Sequence, residues 1–127
     1  MTAVPHVPIS WGELIDKITI LEIKADRLTA PAARDNAIRE LTLLRQAAGT
    51  PGGEVGALAA RLKAVNLALW EIEDRIRDKE AAKAFDADFI ELARSVYRRN
   101  DERGALKREI NLALGSELIE EKSYKPY

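Results

Sequence analysis

Tyr97, Asn100, Gly104, Lys107 and Asn111 follow one another at steps of three, four, three and four, which stacks them in one stripe along a helix. Asp101 and Arg108 lie beside that stripe. A row of amides, cations and a phenol has two uses. Held on a rigid helix, guanidinium and ammonium groups bind carboxylate or phosphate, while Asn and Tyr fix the orientation of what is bound. The same groups can instead hydrogen-bond to neighbouring helices and lock their register. The sequence leaves both uses open.

The stripe belongs to the run at 89–114, FIELARSVYRRNDERGALKREINLAL, whose apolar face is Phe89, Leu92, Val96, Leu106, Ile110 and Ala113. Arg99 and Arg103 fill the steps where that face would continue. A helix with such a face must pack on others, and its polar stripe then meets them. In an up-down-up-down bundle, helices one and three both run antiparallel to this one. Asn66 then falls level with Arg103, and Glu73 with Val96 and Tyr97. Glu13, Asp16 and Lys17 come near Lys107, Arg108 and Asn111, and Lys24 points toward Asp101. On the structural reading these are register-fixing pairs worth about 0–1 kcal/mol each where exposed. On the functional reading Lys17, Lys24, Arg103, Lys107 and Arg108, with Tyr97, Asn100 and Asn111, surround an anionic small molecule.

Charge is segregated. The chain carries a net charge of -1, yet residues 94–108 hold Arg94, Arg98, Arg99, Arg103, Lys107 and Arg108 against Asp101 and Glu102 alone. Internal neutralisation is the first explanation to test. A basic segment also admits nucleic acid, with affinity falling steeply with salt, but the near-neutral total disfavours it.

Several chemistries are excluded by residue type. Cysteine is absent, so no disulfide, thiolate ligand or thiol nucleophile exists. His6 is the only histidine and sits in a proline-bearing terminal arm, which removes triads, HExxH zinc and Glu-x-x-His di-iron sites. GTPGGE at 49–54 lacks the lysine of a phosphate-binding loop. Glu120, Glu121 and the other paired acids lie among charged neighbours. No catalytic residue, metal or cofactor is nominated. Trp11 and Trp70 are expected in core or interface positions.

The elements that position the stripe follow from local signals. Residues 1–9, with two prolines and no helical period, form an extended arm. Ser10 and Glu13 make a capping box that opens helix one. Its stripe is Trp11, Leu14, Ile18, Leu21, Ala25 and Leu28, widened by Ile15, and the off-stripe Ile20 and Ile23 imply contact from more than one side. Thr29, Ala30 and Pro31 end that helix or kink it, and a second runs from Pro31 to Ala48 with Ile38, Leu41 and Leu44 inward and Gly49 as its stop. Helix three spans roughly 54–82 on an unbroken repeat of Val55, Leu58, Leu62, Val65, Leu69, Ile72 and Ile76. The link at 83–86 is short enough to send helix four back antiparallel, capped by Asp86 or Asp88. Gly115 ends it, and the tail at 116–127 has enough apolar surface to dock on the bundle. Gly104, inside a helix, costs about 1 kcal/mol relative to alanine, so a close helix approach is expected there.

The strings ISWGELIDKITILEIK, LWEIEDRIRDKE, FIELARSVYRRNDERGALKREIN and EEKSY resemble a family of small bacterial helical proteins described only as a domain of unknown function. Its pattern falls here on Trp11, Glu13, Asp16, Lys17, Glu22, Lys24, Tyr97, Asn100, Asp101, Arg103, Lys107, Asn111, Lys122 and Tyr124. That pattern has alanine where this chain has Gly104, which weakens any need for glycine by a ligand. The resemblance implies a helical domain and supplies no catalytic residue.

One domain of 127 residues is expected, an all-α antiparallel four-helix bundle whose two long helices are C-terminal. No apolar run approaches the roughly 18 residues of a membrane span, no secretory signal is legible, and a cytoplasmic location is expected. The leading functional expectation is a self-associating, non-enzymatic interaction module, with a further protein partner or a small anionic ligand also admitted. The alternatives are an anion-binding enzyme or sensor with a cationic pocket between helices one and four, and nucleic-acid binding through 94–108.

Overall fold

The computed structural model describes residues 3–127; the first two positions of the expected arm lie outside the described residues. Four helices follow in order, α1 (Trp11–Arg27), α2 (Pro31–Ala48), α3 (Gly53–Ala81) and α4 (Ala87–Ala113), and no strand occurs among the described residues. They form the expected helical bundle, with α3 and α4 as the long pair. Among the described residues no helix is long and apolar enough to cross a membrane.

Each boundary has a local cause. Ser10 Oγ accepts from the Glu13 N–H at 3.1 Å and opens α1. The reciprocal half of the capping box is not made, because the Glu13 carboxylate takes the ammonium of Lys107 at 2.7 Å. A charge-assisted bond is the stronger choice for that carboxylate. Between α1 and α2 the chain breaks and does not kink: the Leu28 N–H still reaches the Lys24 carbonyl at 2.9 Å, and Pro31 then occupies the first turn of α2. Gly49 ends α2 at φ 71°, a left-handed backbone that glycine adopts without a Cβ penalty. Of the two candidate caps for α4, Asp86 serves, accepting from the Phe89 N–H at 2.9 Å.

Two apolar clusters hold the helices together. The larger joins Ile15 of α1, Leu58, Leu62 and Val65 of α3, and Leu106 and Ile110 of α4. The smaller joins Leu21 of α1 to Ala37 and Leu41 of α2, flanked by Ile18, Ala25, Leu28 and Leu44. Helix α1 therefore packs on two sides, as its off-stripe isoleucines implied, and Ile23 is buried as well. Helix α2 lies on α1 alone and reaches neither α3 nor α4. Its inward stripe is Ala37, Leu41, Leu44 and Ala48, one position round from the expected start, so Ile38 is 36% exposed. A helix with a single neighbour needs only a narrow apolar line, and a small residue lets it approach closely. Trp11 is likewise 36% exposed and not a core residue.

Candidate functional site

The site is the meeting of α1 with α4, and closeness is its first property. A Cβ on Gly12 would fall inside the contact radius of the Lys107 carbonyl oxygen and stand 3.0 Å from Asn111 Oδ1. Without it, the Gly12 N–H donates to Asn111 Oδ1 at 2.6 Å. The Trp11 N–H donates to Ser116 Oγ at 3.2 Å, and Glu13 N–H to Ser10 Oγ. Three N–H groups that the first turn of a helix leaves without partners are thus met, two of them from the α4 end of the chain. Asn111 is 1% exposed, so its oxygen has little water to choose instead.

One turn further along α1 lies a buried polar knot. Asp16 is fully buried, and its carboxylate accepts from Arg103 Nε at 3.0 Å, from the same guanidinium's Nη2 at 2.5 Å, and from Asn66 Nδ2 at 2.9 Å. Asn66 also donates to Thr19 Oγ1 at 2.9 Å, and Thr19 donates to the Asp16 carbonyl at 2.8 Å. Helices α1, α3 and α4 are tied at one point, and no buried side-chain polar atom among the described residues lacks a partner. The hydrogen bonds to Asp16 hold the Arg103 guanidinium above its ordinary pKa, against the opposing effect of burial.

Lys107 completes the seam. Its ammonium meets Glu13 at 2.7 Å and Glu120 of the tail at 3.1 Å. Burial pushes its pKa down, yet the hydrogen bonds to Glu13 and Glu120, with the field of Asp16, outweigh it and the pKa is raised.

Of the sequence-nominated residues, the structure gathers Glu13, Asp16, Arg103, Lys107 and Asn111 into one seam. The others lie elsewhere. Lys17 is exposed and Lys24 half-buried, and among the described residues neither forms an ion pair, so Lys24 makes no salt bridge to Asp101. Asp101 instead accepts from the Tyr127 hydroxyl at 2.6 Å, and Tyr97 packs edge-on against the Tyr127 ring, 4.8 Å between centroids. Arg108 pairs with Glu121 at 3.1 Å, and Asn100 is half-buried beside these contacts. The tail therefore runs back along α4, held by ion pairs and aromatic edges.

Sequence reasoning missed Gly12, Thr19, Ser116 and Glu120. Gly12 carried a signal, a poor helix former inside a capping box; the tail residues carried none, because their partners are remote along the chain. Gly104 meets no helix: a Cβ there would lie 3.3 Å from Lys122 Cε, the flexible end of a tail side chain.

Each of the six cations of 94–108 has a carboxylate. Arg94 and Arg98 share Glu91, at 3.5 and 3.1 Å, and Arg99 meets Glu102 at 3.3 Å. Arg103, Lys107 and Arg108 are paired as described above. No group of three or more His, Cys, Asp or Glu placed to hold a metal ion occurs among the described residues.

These features define an all-α bundle whose polar seam ties three of its helices in register. Residues 5–127 match a family of unknown function (DUF6165), and the chain belongs to that family. No curated protein and no solved structure matches it.

Proposed function

We propose that this chain is a non-enzymatic helical interaction module that associates with further copies of itself. The observation that carries this reading is the open seam of the long pair. Over residues 72–98 Leu92 alone is buried, while Ile72, Ile76, Phe89 and Val96 are half-covered. Phe85 and Ile90 are each 57% exposed. Exposed apolar surface gathered in one stretch marks an interaction site more often than scattered residues do.

The polar stripe argues in the same direction. Its cations are matched by carboxylates of the same chain, and α1 approaches α4 too closely at Gly12 to leave room for a ligand between them. An anion between α1 and α4 would have to displace Asp16 from Arg103 and two carboxylates from Lys107. Nucleic acid would meet a chain whose net charge is -1, which gives no overall attraction to a polyanion.

Sedimentation velocity and light scattering over a wide concentration range test the reading. The expected mass is a multiple of 14.1 kDa that grows with concentration. A monomer at the highest attainable concentration overturns it.

A further inference from the structure

We infer that the self-association proposed above is an antiparallel pairing of two α3–α4 hairpins about a two-fold axis, the tip of each lying on an arginine band of the other. The inference rests on that reading and adds its surface and its geometry.

The long pair outruns its support. Helices α3 and α4 have 29 and 27 residues against 17 in α1, and α2 does not touch them. What projects is a two-helix ribbon whose seam residues Ile72, Ile76, Phe89 and Val96 are only half-covered. A second copy laid across it would turn a two-helix seam into a four-helix one, the arrangement in which such residues are dry.

The choice of a second copy comes from charge. At the tip a single lysine serves two carboxylates: Lys79 meets Asp86 at 2.8 Å and Asp88 at 3.8 Å. Two turns back the ratio is inverted, with the single carboxylate of Glu91 serving Arg94 and Arg98. Residues 78–88 hold four acids against two lysines, whereas 91–99 hold three arginines against Glu91 alone. Each end carries an unmatched surplus, and the surpluses are of opposite sign. A two-fold interface sets the same patch on both subunits with the contacts exchanged, so it requires a surface complementary to itself when reversed. Acidic tip to basic band, twice, meets that requirement. The internal pairs are exposed, so exchanging partners costs little.

The test uses the full chain, with sedimentation velocity and native mass spectrometry. One variant reverses the tip, Glu80→Arg with Asp88→Arg, and the other reverses the band, Arg94→Glu with Arg98→Glu. Glu80, Asp88 and Arg94 are exposed and Arg98 is half-buried, and far-ultraviolet circular dichroism checks that helicity is kept. Each variant alone is expected to be monomeric where the wild type is dimeric, and mixing the two is expected to restore a dimer with the mass of one copy of each. Variants that dimerise like the wild type overturn the inference and leave self-association standing, through another surface. A wild type that never dimerises removes both. The wild type gives an independent check. Its dimer should weaken severalfold as sodium chloride rises from about 50 to about 500 mM, because exposed charge pairs are screened over that range. A dimer indifferent to salt would overturn the pairing as well.

Discussion

Asp16 and Arg103 meet through two parallel bonds, Nε to Oδ1 at 3.0 Å and Nη2 to Oδ2 at 2.5 Å, although 87 positions separate them in the chain. The carboxylate is buried and the guanidinium side chain 30% exposed. Removing one partner of a buried pair leaves an uncompensated charge, at a cost of about 3–5 kcal/mol. Asp16→Ala and Arg103→Ala should each lower the urea unfolding free energy by an amount near the lower end of that range, since Arg103 keeps some water. Asp16→Leu combined with Arg103→Met should cost far less than the two single losses together, as a double-mutant cycle would record.

Asn111 and Gly12 form the tightest crossing. Asn111→Ala removes the acceptor of a buried N–H, which should cost about 1–3 kcal/mol. Gly12→Ala forces backbone apart at the Lys107 carbonyl and should cost at least the roughly 1–3 kcal/mol of an overpacked core. Chemical denaturation of the two single variants and the double one checks both values, and the double variant should fall short of their sum.

Gly104 invites the opposite result. Its helix gains about 0.5–1 kcal/mol from alanine, and the only obstruction is the movable end of Lys122. Gly104→Ala should raise the thermal midpoint, read by calorimetry.

Alkaline titration should expose Lys107. Its folded pKa is raised, so its contribution to stability is complete below the ordinary lysine value of about 10.4 and is lost as pH climbs through the folded value. The Tyr127 phenol, raised first by its hydrogen bond to Asp101, acts with the same sign. Unfolding free energy measured from neutral pH upward should therefore fall on the alkaline side. Lys107→Met should flatten part of that fall, and Tyr127→Phe a separate part.

Much of the scaffold was legible because its signals are local. Ser10, Pro31, Gly49 and Asp86 each act within a few residues of the boundary they set, and the antiparallel arithmetic put Glu13 and Asp16 beside α4. What could not be read was the choice among neighbours. Lys17 and Asp16 are adjacent in sequence, yet about 100° of helical rotation per residue separates a buried carboxylate from an exposed ammonium. Ala37 displaced Ile38 from the core because α2 has one neighbour, a fact held in tertiary contacts. Ser116 and Glu120 act only once the tail has folded back, and no periodicity in the sequence announces that.

The one-sided attachment of α2 makes it the detachable part of the molecule. Peeling it away would wet Leu21, Ala37 and Leu41 but leave Ile15, Leu62 and Ile110 dry. Amide deuterium uptake should accordingly reach α2 through partial opening, while the central amides of α3 and α4 wait for global unfolding. Its glycine-rich junction with α3 is then the natural place to splice in foreign sequence, because strain there would loosen a flank and spare the keel.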